Sequence, residues 1–351
     1  MTGLAISRHL AFAAALAVIS AVVVRLMIRF GPIDHPDARK GHAIPTPKGG
    51  GVGIAVSFLI GIAILYRFAE FARLADPYFR GVILAATMIA IVSFLDDIFD
   101  WPFMVKLAAQ LAAAAAAVGS GLYLREPRIP YIGPVDIGWL GPAATLFWIV
   151  FATNAMNFID GLDGLAGGVA LIACCFFSGI AAAQGAWFAY FASLLLAAGL
   201  IGFLPFNLPP ARIFMGDVGA QFCGFVLAML GVVAARFETV ELSFVMVPML
   251  LAGPLFDVAF TLARRMLAGL AVTRPHRGFI FHVAQRSGVP DLAIAAAHWG
   301  FTLFGGVCCL AFLHARPLFK PLISLLPLIP QLAWLAYVQR RAARSALASW
   351  D

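Results

Sequence analysis

Apolar runs of bilayer length alternate along this 351-residue chain with short polar stretches rich in Gly, Pro and charge. A hydrocarbon core of about 30 Å needs roughly 20 residues of helix to cross it. Runs of about that length fall at 8–28, 49–66, 80–97, 103–122, 142–160, 165–183, 186–205, 217–235, 243–264, 293–313 and 317–338. The expected fold is therefore all-α, a polytopic integral membrane protein with about 11 transmembrane helices forming a single domain over residues 1–351. The alanine-rich stretch 107–117 is the least hydrophobic span core. The first run starts after Arg8 and continues to about Met27, with more apolar segments behind it, so it is read as a retained span and not a signal peptide.

If the spans alternate, the polar stretches at 29–48, 96–106, 154–164, 205–217 and 264–292 follow the first, third, fifth, seventh and ninth, and all open on one side. The tail with Arg340, Arg341 and Arg344 reaches the same side, which also carries the excess of Lys and Arg. Positive charge accumulates on cytoplasmic loops, so the N-terminus is expected outside and the motif side and C-terminus inside, across a bacterial inner membrane.

Composition agrees with this solvent. The chain is 62% hydrophobic and 12% charged, against about a quarter charged in soluble domains. Its net charge of +7 is scattered through inter-helix loops and builds no basic, aromatic-interleaved patch, so nucleic acid is excluded as a partner. Anionic headgroups or phosphorylated substrates fit better. Cys174, Cys175, Cys223, Cys308 and Cys309 all lie in apolar stretches and read as small buried hydrophobes, with neither a disulfide framework nor a zinc site.

The polar stretches carry the chemistry. Asp34 to Gly51, with His42 and Lys48, mixes rigid prolines, free glycines and cations suited to a phosphate or headgroup, and is equally well an ordinary turn-rich loop. Asp96 and Asp97 end one span, with Asp100 close behind and Lys106 opening the next. Adjacent carboxylates at a membrane boundary repel unless a cation or proton separates them. In Asn154-Ala-Met-Asn157-Phe-Ile-Asp160-Gly-Leu-Asp163-Gly-Leu-Ala, polar groups recur every third residue on one helix face, and Gly161 and Gly164 let the backbone break. Their oxygens suit Mg2+, a nucleobase or a sugar. Asn207 and Arg212 precede Gly216-Asp217, where Asp217 opens a span as either a cap or a metal ligand. The last stretch holds Arg264, Arg265, Arg274, His276, Arg277, His282 and Arg286, for which phosphate is the natural counterpart. Asp257 is expected to pair with Arg264 or Arg265 as a structural ion pair.

These stretches, in this order over residues 34 to 288, resemble the polyprenyl-phosphate N-acetylhexosamine-1-phosphate transferases. The strongest matches are Asp96-Asp97, the Asn154 to Ala166 run and Ile213-Phe-Met-Gly-Asp217-Val-Gly. The resemblance implies a UDP-amino sugar donor, an undecaprenyl phosphate acceptor, Mg2+ (with Mn2+ as a substitute), release of UMP, and a homodimer as a candidate assembly. It implies metal contact for Asp217 and Asn157, uracil contact for Asp163, diphosphate contact for Lys106, and metal or acceptor contact for Asp96 or Asp97. Asn154, Asp160, Asn207, Lys48, His276, Arg277 and His282 join Asp163 as expected substrate contacts. Many relatives carry His-x-His-His in the last loop, where this chain reads Phe279-Ile-Phe-His282; His276-Arg277 resembles the His-Arg pair of other branches. That departure points away from the muramoyl-pentapeptide branch. Within this reading the acceptor phosphate attacks the donor phosphorus directly, with a covalent aspartyl-phosphate route as the alternative. A secondary transporter is the rival from another class; residues gathered on one side, without an inverted repeat, argue against it.

Overall fold

The structure is a computed structural model that describes residues 3–34, 44–68, 76–126, 128–129, 133–236, 242–274, 276–345, 347 and 350. Most of the first polar stretch, including His42, lies outside the described residues. Helices account for most of the described residues: α1 Gly3–Phe30, α2 Gly51–Phe68, α3 Asp76–Phe99, α4 Phe103–Gly119, α5 Leu140–Phe158, α6 Leu165–Gln184, α7 Trp187–Asn207 and α8 Gly216–Arg236. After these come α9 Met246–Leu250, α10 Ala252–Leu267, α11 Ile280–Arg286, α12 Asp291–His314, α13 Lys320–Leu325 and α14 Leu328–Arg344.

Among the described residues, eight helical segments are long and apolar enough to cross a membrane, and the protein is a polytopic membrane protein. Each of the other three expected spans has a physical reason for falling short. The helix α4 has only 17 residues, and α5 spends its last turn on Asn154 and Asn157. The ninth run is two helices, broken at Leu251 just ahead of Gly253-Pro254.

Burial identifies the axis of the bundle. The central span α8 is 94% buried over its apolar window, whereas α1 and the C-terminal segment Pro317–Arg344 are 17% buried and present their apolar sides outward. In water such exposure would be costly, but in lipid it is the expected state, and helices then approach one another through small residues. Gly51 of α2 and Gly219 of α8 show this: a Cβ on Gly51 would fall 2.1 Å from the Gly219 Cα. Just before that crossing, Gly50 and Gly51 N–H donate to the Phe214 and Met215 carbonyls, while Phe214 N–H donates to Pro47. A two-residue pairing of Ile33–Asp34 with Thr46–Pro47 returns the chain to this point. The first polar stretch is thereby sewn onto the start of α8.

Because the obstruction at Gly51 is backbone, Gly51→Leu is expected to destabilise the folded protein by roughly 1–3 kcal/mol. A lowered thermal midpoint in detergent checks this, with Gly119→Leu, whose Cβ meets nothing, as the tolerated comparison.

Candidate active site

The start of α8 fixes the site. Gly216 adopts φ +73°, a left-handed conformation that glycine tolerates, and a Cβ there would lie 2.6 Å from Asp97 Oδ2. That space lets Asp97 reach the helix end from α3. Asp217 N–H donates to its Oδ1 and Val218 N–H to its Oδ2, each at 3.1 Å. Asp97 thus caps α8 from another helix, satisfying donors that have no partner within α8. Its neighbour Asp96 points elsewhere. Asp96 Oδ1 accepts Trp101 N–H at 2.9 Å, and Oδ2 meets Lys106 Nζ at 2.5 Å.

Lys106 also donates to Asp217 Oδ2 at 3.0 Å, so one ammonium holds carboxylates from α3 and α8 together. Lys48 stands 3.9 Å from Asp97 Oδ1 as a second, more distant cation. Without these charges the gathered carboxylates would repel in a poorly solvated place.

The turn between α5 and α6 forms the facing wall. Gly164 has φ +71° and donates its N–H to Asn207 Oδ1, and Asn207 Nδ2 donates to the Ile213 carbonyl. Asp163 Oδ2 accepts Ala211 N–H at 2.9 Å. Two of the expected substrate residues therefore brace the loop before α8 through their side chains. Asp160 accepts no side-chain hydrogen bond among the described residues. Burial, then Asp217, Asp97 and Asp163, hold its carboxyl well above the usual carboxylate range.

The last polar loop closes the mouth through α11. Both oxygens of buried Asp257 accept N–H groups opening α11, Ile280 at 2.7 Å and Phe281 at 3.0 Å, with Thr261 donating as well. This corrects the expected ion pair of Asp257 with Arg264 or Arg265; Arg265 donates to the Ala271 carbonyl instead. So docked, α11 presents His282 against Gly161, where a Cβ would come 3.1 Å from His282 Nε2. Burial, then Arg277, His276 and Arg286, push the His282 imidazole down to about 3. Burial and these neighbouring charges favour its neutral form. Arg277 donates to Gln285 Oε1 at 2.8 Å and supplies the cation of this wall.

A cavity of about 520 Å³ results, lined by Lys48, Asp97, Asp100, Asn157, Asp160, Asp163, Asn207, Asp217, Arg277, His282 and Gln285. The structure thus brings together residues from all five polar stretches. Several expected residues stand outside this lining. Asp96 is turned to Lys106, and Lys106 is reached through Asp217. Asn154 lies deeper, donating to Gln110 and to the Val150 carbonyl. His276 also lies off the lining, 4.7 Å from the Phe279 ring, and accepts Gly278 N–H. Gln285 and the docking role of Asp257 are what the sequence did not reveal.

Fold and site together define a polytopic membrane protein with a cavity lined by carboxylates, amides and two cations. Residues 79–235 match glycosyl transferase family 4. A Bacillus subtilis protein described as a probable undecaprenyl-phosphate N-acetylglucosaminyl 1-phosphate transferase is 32% identical over 274 residues, covering 78% of this chain and 75% of the relative. The decaprenyl-phosphate N-acetylglucosaminephosphotransferase of Mycobacterium tuberculosis H37Rv is 32% identical over 283 residues, 73% and 70% of the two chains. A phospho-N-acetylmuramoyl-pentapeptide-transferase from Acetivibrio thermocellus is 29% identical over 309 residues, 82% and 88%. The chain belongs to glycosyl transferase family 4 and is a membrane-embedded phospho-sugar transferase.

Removing the shared ammonium by Lys106→Gln leaves Asp96 and Asp217 uncompensated. An expected loss of about 1–3 kcal/mol allows for the partial exposure of Lys106 and Asp217. Adding Asp96→Asn should restore much of that loss, and chemical denaturation in detergent of both singles and the double measures the coupling.

Proposed function

We propose that the protein transfers an N-acetylhexosamine 1-phosphate, or a related amino-sugar phosphate, from a UDP-sugar to undecaprenyl phosphate. The products are UMP and an undecaprenyl-diphosphate-linked sugar, the starting unit of a cell-surface polysaccharide. The observation carrying this reading is the cavity in which Asp97, Asp160, Asp163 and Asp217 face Arg277 and Lys48. The named activities of the Bacillus and Mycobacterium relatives support the same donor and acceptor classes. In this reading α4, α5 and the broken ninth run cross as well, giving eleven crossings with the N-terminus outside and the cavity opening to the cytoplasm.

The donor set fits Mg2+ by its chemistry. Asn157, Asp160 and Asp217 turn hard oxygens to one cavity, and the Asp160 carboxylate meets no donor among the described residues. Among the described residues, no three carboxylate, imidazole or thiolate groups stand together as a ready-made metal cluster. Asp217 and Asn157 would hold the ion, with Asp97 or Asp160 beside them and substrate oxygens completing its shell. When bound, it would neutralise the donor diphosphate and the leaving nucleotide.

The remaining work falls to the protein. Bringing two phosphorylated substrates together is chiefly a problem of mutual repulsion, which fixed cations ease without reorganising. Arg277, held by Gln285, and Lys48 lie where a diphosphate enters. Lys106 fixes Asp217 from behind. Of the adjacent pair we assign the acceptor phosphate to Asp97, because it lines the cavity, while Asp96 acts through Lys106. The attack is direct and in line.

Incubation of the purified protein with undecaprenyl phosphate, Mg2+ and a panel of UDP-amino sugars tests the reading by release of UMP. Turnover with at least one donor is expected, abolished by EDTA. Asp217→Asn should lower kcat by roughly 100-fold or more while the protein stays folded. A folded wild-type protein inert towards every donor would refute the assignment.

A further inference from the structure

Directly beneath the charged layer lies a second layer, made of amides. Gln110 follows Lys106 by one turn of α4, Gln221 follows Asp217 by one turn of α8, and Asn154 precedes Asn157 by one turn of α5. These three side chains form one chain of hydrogen bonds. Asn154 Nδ2 donates to the Val150 carbonyl at 2.8 Å and to Gln110 Oε1 at 2.5 Å. Gln110 Nε2 donates to Gln221 Oε1 at 2.9 Å, and Gln221 Nε2 donates to Asp217 Oδ2 at 3.3 Å.

The direction of this chain is set at its far end. A backbone carbonyl can only accept, so Asn154 must turn its NH2 towards Val150 and Gln110. Gln110 must then accept with its oxygen and donate with its nitrogen, and Gln221 must do the same. What reaches Asp217 is consequently always a donor. Gln110 and Gln221 are 3% and 2% exposed, so water does not compete for these bonds and a reversed amide would strand a buried pair. Gln221 and Lys106 both take Asp217 Oδ2. The same carboxylate also pairs with Asp96, and Asp217 lines the cavity.

We propose that Gln221, backed by Gln110 and Asn154, is a positioning residue that holds the Asp217 carboxylate in the orientation that presents it to the cavity. The inference rests on the reading of Asp217 as a metal-contacting residue. It removes Asn154 from the substrate contacts, since its amide is spent between helices.

Two near-isosteric variants test it. Gln221→Met keeps the volume and removes the donor, and Gln221→Glu keeps the shape but sets a carboxylate against Asp217. Partners behind a metal-contacting group typically change affinity or activity by about 10–100-fold. Both variants should lower kcat and weaken Mn2+ binding, followed by electron paramagnetic resonance on the purified protein, by that factor. The KM for the UDP-sugar should be nearly unchanged, a split that mere loosening of the bundle would not give. Gln110→Met, one link further back, should show the same pattern more weakly. If Gln221→Met does not fold, Gln110→Met and Gln221→Glu carry the test. Folded variants with wild-type kcat and Mn2+ affinity would overturn the proposal. A wild-type protein that binds Mn2+ but turns over no donor would overturn the assigned reaction, leaving positioning to be judged by Mn2+ affinity alone. Failure of the wild type to bind Mn2+ would overturn the proposal itself.

Discussion

One ammonium group, Lys106 Nζ, holds the site together between Asp96 of α3 and Asp217 of α8. Carboxylates crowded at the end of a membrane bundle repel, and the bilayer offers little water to shield them. The structure answers with a short list of fixed partners. Lys106 neutralises, the first N–H groups of α8 cap Asp97, and the polar amides below hold Asp217 in register. These partners come from α4, α5 and α8, so the electrostatics of the site and the packing of the bundle are one constraint. Gly216 belongs to it too, because a Cβ there would collide with the Asp97 carboxylate that caps α8.

The opposite wall follows another logic. Its cation, Arg277, and its neutral imidazole, His282, come from a connection between helices, and such a connection needs an anchor to act with precision. Asp257 supplies it by accepting both N–H groups that open α11. The cavity is accordingly acidic on the bundle side, and basic and docked on the loop side. That polarity suits a nucleotide diphosphate whose negative charge must be held against a second phosphate.

Much of this is legible in the chain because the signals are local. Apolar runs of bilayer length locate the helices, and a span that ends in Asn157, Asp160 and Asp163 sets polar groups where lipid would penalise them unless they serve a site. Alternation of the expected spans groups the five polar stretches, and the structure gathers residues of all five at one cavity. What stays hidden depends on partners distant in sequence. Asp96 and Asp97 are adjacent, so only the third dimension shows that one faces Lys106 and the other the start of α8. Asp257 satisfies a backbone N–H group 23 residues away, and a backbone donor leaves no mark in a sequence. The amide layer does leave one, a glutamine one turn beyond both Lys106 and Asp217, but its meaning emerges only when α4, α5 and α8 converge. The ninth run looks continuous because hydropathy does not register the break at Leu251.

In the proposed reaction a sugar phosphate, and not the sugar alone, moves onto a lipid phosphate in this cavity. The decisive measurement follows a UDP-amino sugar that turns over, labelled with ³²P in the phosphate next to the sugar. The label is expected to pass into the organic-extractable lipid while the released UMP carries none. Label remaining in the aqueous nucleotide as sugar reaches the lipid would be incompatible with phosphoryl transfer.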